Sequence, residues 1–304
     1  MRVGNNPNRM AASEKLNEVV LLAITHLPNL TGYHAGRLEI VQTCLNTMRQ
    51  NAGDVRVSIA VWDNGSCQEL RSWLHNEYEP DMLIETNKLG KATVRGMFAH
   101  MLQPGTVMMV TDDDMLFAPD YLRPQLDLLQ SFPNVAAVSG YPVRTQFRWG
   151  CRNTVAWAQK NATVKVGRFI PEQWERDFCA SIEREYDWHK KQSENDMDYL
   201  VEWHGKTAFL TAHHCQLLCY PSDVLRAFPK YVQDAMGDEK PFDNAMDKLG
   251  LRLTTTSRLV RHMGNVMDDE IRNAAALALI GAINPGDIME FQSHTLTENV
   301  KHSA

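Results

Sequence analysis

The sequence predicts an α/β fold with a Rossmann-like, mostly parallel central sheet flanked by helices. Two observations carry this. Through the first half of the chain, short apolar runs alternate with helically spaced ones, as a sheet with crossover helices requires. Polar clusters follow the ends of those runs, and the C-terminal ends of strands are where open α/β sheets bind ligands.

Each element follows from its residues. The run 19–24 is a buried strand, and 38–48 has helical spacing of Leu38, Val41, Leu45 and Met48. A second strand, 55–62, runs into the turn-forming Asp63-Asn64-Gly65-Ser66, followed by a helix over 68–76. A short strand over 82–85, a helix over 91–101 and a strand over 106–111 come next, the last ending directly in Asp112-Asp113-Asp114. After Pro119 the pattern gives a helix over 121–129 and a strand over 135–138. From 144 to 205 it turns irregular, holds five of the seven tryptophans and leaves its topology unassigned. Regular signals return over 217–228, in a helix ending near Leu249 and closed by Gly250, and in a strand-like run over 251–255. Asp268 and Asp269 can cap a last helix with the apolar face Ile271, Ala275, Ala278 and Leu279, stopped by Asn284-Pro285-Gly286.

At 304 residues and 44% hydrophobic, the chain can bury a large core. Its 31 basic and 37 acidic side chains leave a formal charge of -6, which removes a general attraction to phosphate backbones or anionic lipid. The longest apolar stretch, 274–283, is about half of the roughly 20 residues that cross a bilayer. The first 17 residues are polar and lack the apolar stretch of a secretory signal. A soluble, cytoplasmic protein without a transmembrane segment is expected. Six scattered cysteines without a CxxC pair suit reduced thiols.

Three consecutive aspartates at the end of a buried strand repel one another unless a cation or hydrogen bonds compensate. A divalent metal is one compensation, and hard oxygen ligands suit Mg²⁺ or Mn²⁺; a helix cap or solvated turn is the plainer alternative. Strand alternation would turn Asp112 and Asp114 to one side and Asp113 to the other. 

The order of clusters adds to this. Asp63-Asn64-Gly65-Ser66, then Asn87-Lys88-Leu89-Gly90-Lys91-Ala92, then Asp112-Asp113-Asp114 with Pro119-Asp120-Tyr121-Leu122 downstream, resembles the family 2 glycosyltransferases of the GT-A fold. The resemblance implies a base contact at Asp63, donor contacts at Asn87 and Gly90, and ribose and metal binding by Asp112, Asp113 and Asp114, with Asp114 the first choice of metal ligand. Thr25, at the end of the first strand, joins the donor-site set. Asp238-Glu239, twelve and eleven residues before Gly250, is similar to the family's ED motif. That points to Glu239 as catalytic base, with Asp238 the alternative because the order is DE. A helix start favoured by the macrodipole explains the two acids equally well. Val260-Arg261-His262-Met263-Gly264-Asn265 looks like the family's strand-end His-x-Gly segment, in which His262 can complete the metal set. The implied organisation is an arm over 1–18, a GT-A domain over 19–266 with a nucleotide-sugar half (19–143) and an acceptor and base half (144–266), and a C-terminal helix and tail over 267–304.

The resulting expectation is an inverting, metal-dependent transfer of a sugar from a nucleotide diphosphate, UDP favoured by the resemblance, to an acceptor hydroxyl. The metal, Mn²⁺ or Mg²⁺, would offset charge on the leaving diphosphate, assisted by Lys91 or Arg95, while Glu239 or Asp238 takes the acceptor's proton. The acceptor stays open between a saccharide, a lipid-linked carrier, a protein and a modified nucleic acid, as does the oligomeric state. Two rivals remain. A nucleotidyltransferase usually opens with a Gly-rich basic loop, whereas Thr25-His26-Leu27-Pro28-Asn29 follows the first strand here. A non-catalytic nucleotide-sugar-binding module would keep the fold without the chemistry. His213-His214-Cys215 with Cys219 hints at zinc, but its apolar neighbours favour packing. The middle tryptophans suit either an acceptor or a core.

Overall fold

The structure, a computed structural model, describes residues 19–103, 105–228, 239–265 and 267–280. The expected arm over 1–18, Asp238 and the Asn284-Pro285-Gly286 turn lie outside the described residues.

Strand β1 (Val19–Thr25) is buried along its whole length and pairs in parallel with β2 (Val57–Asp63). Between them α1 (Arg37–Gln50) lays Ile40, Val41, Cys44, Leu45 and Met48 on the sheet, at the spacing of one helix face. After β2 come α2 (Gln68–Trp73), a π turn over Leu74–Tyr78, and β3 (Met82–Glu85), which pairs with β2 in parallel. Helix α3 (Lys91–Met101) then carries the chain to β4 (Val107–Asp112), which pairs with β1 on the side away from β2. The order β3-β2-β1-β4 therefore reverses direction between β1 and β4, and the crevice at such a reversal is where open sheets take ligands.

Both faces of this sheet are covered, which explains the unbroken apolar runs. Leu21, Ala23, Ile59, Val61 and Met109 pack with α1 on one face. Leu22, Ile24, Ala60, Trp62 and Met108 pack with Val94 and Phe98 of α3 on the other.

Beyond Asp112 the chain leaves the sheet as β5 (Met115–Phe117), passes α4 (Leu122–Ser131) and returns as β6 (Val135–Ser139). The tryptophan-rich middle forms α5 (Arg152–Asn161), β7 (Thr163–Gly167), α6 (Glu172–Ser181), α7 (Tyr186–Gln192) and β8 (Asp198–Trp203). It is centred on buried Arg144, whose Nε and Nη2 donate to Asp198 at 2.8 and 3.0 Å and whose Nη1 meets Glu175. Trp157 and Trp203 pack edge to face within this region.

Strand β9 (Lys206–Phe209) pairs with β8, and β10 (Gln216–Cys219) runs antiparallel between β4 and β6. After α8 (Pro221–Ala227) and α9 (Lys240–Leu249), β11 (Leu251–Thr254) pairs in parallel with β6. The order of the ten-stranded sheet is β3-β2-β1-β4-β10-β6-β11-β9-β8-β7, with only β10, β9 and β7 running against the rest. Strand β12 (Val260–His262) pairs with β5 in a separate ribbon. Helix α10 (Asp269–Leu279) is capped by Asp268, whose carboxylate accepts from the Ile271 N–H at 2.7 Å, and its Arg272 reaches Glu39 of α1 at 2.9 Å. The α/β sheet with flanking helices is the architecture the sequence predicts. Among the described residues no helix is long and apolar enough to cross a membrane.

Candidate active site

The crevice between the C-terminal ends of β1 and β4 opens into a cleft. Lys91, Asp112, Asp113 and Asp114 from the predicted set line it, together with His26, Tyr33, Arg37, Asn64 and Lys88.

Two predicted donor residues lie beneath this cleft instead of in it. Asp63 ends β2 with its side chain fully buried; Oδ1 accepts from the Ser66 N–H at 3.0 Å and Oδ2 from Arg71 Nε at 2.9 Å. Thr25, also fully buried, stands 3.5 Å from Asp63 Oδ1. This Asx-type turn fixes the loop. Asn64, the next residue, reaches the cleft and clasps Leu89 through both its amide atoms, at 2.8 and 2.7 Å. His26 Nδ1 lies 2.9 Å from the Asn64 carbonyl, so it carries the hydrogen, and burial lowers the ring's pKa. Asn87 is exposed at the rim, and Gly90 is the residue before α3.

The aspartates do not alternate as a strand would turn them, because β4 ends at Asp112 and the chain turns there. Asp112 Oδ1 meets Lys91 Nζ at 2.7 Å. Asp113 and Asp114 share Arg37 of α1, at 2.6 and 3.5 Å, and Asp113 also accepts from the His26 N–H at 3.1 Å. The β5–β12 ribbon puts His262 opposite Met115, which leaves His262 Nε2 3.5 Å from Asp114 Oδ2. Arg37 is the participant that sequence reasoning missed. Its signal was the long loop after β1, with two histidines and two glycines, that opens into α1.

These pairs set the charges. Burial would raise the Asp112 carboxyl, but Lys91 holds it below the usual range. For Asp113 burial wins over Arg37, and its pKa is pushed up to about 6. Asp114 is the reverse: burial would raise it, and His262, then Arg37, hold it well below ordinary. His262 is raised, because Asp114 outweighs the effect of its own burial.

Arg37 and Lys91 thus already compensate much of the aspartate repulsion that the sequence alone assigns to a metal. What they leave is specific: Asp114 Oδ1 is buried and, among the described residues, has no hydrogen-bond partner. An orphan oxygen on a carboxylate whose other oxygen, Oδ2, stands 3.5 Å from His262 Nε2 is a donor set that Mn²⁺ or Mg²⁺ fits.

The acid of the second half stands apart from these. Glu239 directly precedes α9, where the macrodipole favours an acid, and its carboxylate makes no capping hydrogen bond there. Its Oε2 accepts from Arg95 Nη1 at 2.6 Å, and Arg95 Nη2 lies 3.3 Å from the His214 carbonyl. Lys91 and Arg95, four residues apart on α3, share one helix face and join the aspartates to Glu239.

His213, His214 and Cys215 bring one ligand atom each within 4.8 Å of one another. Their polar atoms have other partners. His213 Nδ1 faces the Cys215 N–H at 3.3 Å, and His214 Nδ1 lies 2.9 Å from Asp243. Burial pushes the Cys215 thiol pKa far up, against thiolate formation.

No family model matches the chain, and no curated protein matches its sequence. Several solved structures are similar to it. One is the mannosyltransferase PcManGT from Pyrobaculum calidifontis, in complex with GDP-Man and Mn²⁺, at 14% identity and a TM-score of 0.46, covering 87% of this chain and 63% of that one. Another is the inositol-1-phosphate CTP transferase from T. maritima, at 12% identity and a TM-score of 0.43, covering 86% and 95%. A third is TarS 1-349 from S. aureus, at 9% identity and a TM-score of 0.44, covering 81% and 60%. The chain spans less than two thirds of the first and third of these.

Proposed function

We propose that the chain is an inverting glycosyltransferase that moves a sugar from a nucleotide diphosphate, uridine favoured by the sequence resemblance, to an acceptor hydroxyl. The observation that carries this reading is the buried, unpartnered Asp114 Oδ1, on the carboxylate whose Oδ2 stands 3.5 Å from His262 Nε2, in a cleft at the sheet's reversal point. A Mn²⁺ or Mg²⁺ ion held by Asp114 and His262, with Asp112 as the third candidate ligand, would neutralise the oxygens of the leaving diphosphate. Arg37 and Lys91 line the same cleft, paired with the aspartates, and with Lys88 at the same cleft they are the basic side chains that a diphosphate would meet there. Asn64 and His26 offer hydrogen-bonding groups at the end of β1 for the nucleoside; Asp63 and Thr25 hold that loop from beneath.

The transfer itself needs one proton acceptor. As the acceptor oxygen bonds to the anomeric carbon and the carbon–diphosphate bond breaks, the hydroxyl proton passes to Glu239, which Arg95 orients. Asp238 is the other candidate of the acidic pair. Attack from the face opposite the leaving group inverts the anomeric centre.

The test is a panel of nucleotide sugars with and without Mn²⁺, read by thermal stabilisation and by release of nucleoside diphosphate. A sugar donor that stabilises the fold only with metal and is turned over fits the reading. Stabilisation without turnover, even across a panel of hydroxyl acceptors, would make the protein a binding module. Pyrophosphate released from a nucleoside triphosphate and a sugar phosphate would make it a nucleotidyltransferase.

A further inference from the structure

We propose that Ser181 is a positioning residue: it fixes the tautomer of His262, so that the Nε2 lone pair is presented to a cation at Asp114. The proposal rests on the reading that Asp114 and His262 hold a divalent ion.

A count of hydrogens carries it. Ser181 is the last residue of α6, where helix-end carbonyls lack their usual partners. The Ile182 N–H donates to the Cys179 carbonyl, and the Ser181 hydroxyl donates to the Phe178 carbonyl at 2.8 Å. A serine hydroxyl has one hydrogen to give. With that hydrogen on the Phe178 carbonyl, Ser181 Oγ is an acceptor toward His262 Nδ1, 2.8 Å away, and Nδ1 carries the hydrogen; the Asp114 carboxylate opposite Nε2 is the competing acceptor. A neutral imidazole has one N–H, which leaves the lone pair on Nε2. Nε2 faces Asp114 Oδ2 at 3.5 Å. Two ligand atoms about 2.1 Å from a shared ion at right angles stand roughly 3 Å apart, close to this gap. If His262 is instead an imidazolium, Nδ1 keeps its hydrogen toward Ser181 and Nε2 is the position that yields to the ion.

The backbone is built around the same contact. Gly264 has φ +79°, and a Cβ there would stand 2.2 Å from the Ser181 carbonyl oxygen. No side chain fits that approach, so the glycine of the His-x-Gly segment lets β12 reach the end of α6. From the other side, the Met263 N–H donates to the Asp114 carbonyl at 2.8 Å. His262 is thereby held between Ser181 and Asp114, and the two-residue spacing to Gly264 has a physical cause. Such outer contacts orient a metal-bound imidazole, and losing one commonly costs about 10 to 100-fold in metal affinity.

Two measurements test this. In metal-free protein at about pH 9, ¹⁵N resonance of labelled histidine should report the Nδ1–H form of His262; the Nε2–H form would overturn the proposal without any variant. Mn²⁺ titration followed by electron paramagnetic resonance should give an affinity that Ser181→Ala lowers about tenfold or more and that Ser181→Thr, which keeps the hydroxyl, largely restores. In a His262→Ala background, Ser181→Ala should cost nothing more. Mn²⁺ binding that depends on Asp114 and His262 but ignores Ser181→Ala would overturn the positioning role alone. If Asp114→Ala leaves Mn²⁺ binding unchanged, the metal reading itself falls, and the presentation of Nε2 to an ion with it.

Discussion

Removing the carboxylate of Asp114 takes the acid partner from His262 but leaves Arg37 paired with Asp113 at 2.6 Å, so the turn after β4 keeps its main tie to α1. Asp114→Ala is therefore expected to fold while losing turnover and most of its metal-dependent nucleotide binding. Calorimetric titration with and without Mn²⁺ checks this, and near-normal activity would remove Asp114 from the donor site. At Glu239 the expectation concerns rate. A carboxylate that accepts a proton in the transition state is not replaced by its amide, so Glu239→Gln should bind donor and acceptor nearly normally yet lose about 10² to 10⁴-fold in turnover. Asp238→Asn should be milder. A reversed order of severity would exchange the two roles, and near-wild-type rates in both would take the base out of this segment.

Elements whose burial is apolar and periodic were legible from the sequence: β3 and α3 have the predicted ends, and β1, β2, β4, β6 and β11 lie within a residue or two of them. The middle was opaque for a physical reason. Within it Arg144 is fully buried against Asp198 and Glu175, and Arg258 reaches in to pair with Asp177 of α6; Arg252 and Asp243 form a like pair outside it, in elements whose apolar residues still show their period. Pattern reading assigns such residues to the surface, so elements centred on them lose their periodicity. The same blindness hid Arg37 from the cleft and left the aspartates apparently uncompensated. Two predictions follow from these buried pairs. Asp198→Ala takes one of two acid partners from the buried Arg144 guanidinium, leaving Glu175, and frees the Phe169 and Ile170 N–H groups, which donate to Asp198 at 2.6 and 2.8 Å, so it should cost about 3 kcal/mol in denaturant melts. A loss below about 1 kcal/mol would deny Arg144 its central place. Asp243 is buried, which would raise its pKa, but Arg252, His214 and Gln146 bring it down to about 2. Its folded pKa lies below the unfolded value of about 3.9, so its contribution, about 2 kcal/mol, is full above pH 4 and fades as pH falls toward 2. The stability gap between wild type and Asp243→Asn should shrink over that window; a constant gap would contradict the assignment.

At the scale of the molecule, β10 is the strand that makes one site from distant segments. Because it runs antiparallel between β4 and β6, its leading residues return beside the aspartates, and the Cys215 carbonyl accepts from the Asp112 N–H at 2.9 Å. The residue before it, His214, touches Arg95, and α9 brings Glu239 to the same guanidinium. Asp114 and His262 belong to the other flank, where the β5–β12 ribbon packs near α6. The aspartate pair is thus tied to α1 through Arg37, while Asp112 and the Glu239 carboxylate are tied to α3 through Lys91 and Arg95. A leaving diphosphate held on the Asp114 flank and a proton acceptor on the Glu239 flank suit attack on the anomeric carbon from the face opposite the departing group. A double displacement would instead need a protein carboxylate to bond to the anomeric carbon from that same opposite face before the acceptor arrives; on the proposed reading Glu239, held by Arg95 at 2.6 Å, takes the acceptor's proton and forms no such bond. The product should therefore have the inverted anomeric configuration. Nuclear magnetic resonance of a stable glycoside product reads this directly, through the coupling of the anomeric proton. Retained configuration would rule out a single displacement, and Glu239 would then have to act as something other than the base.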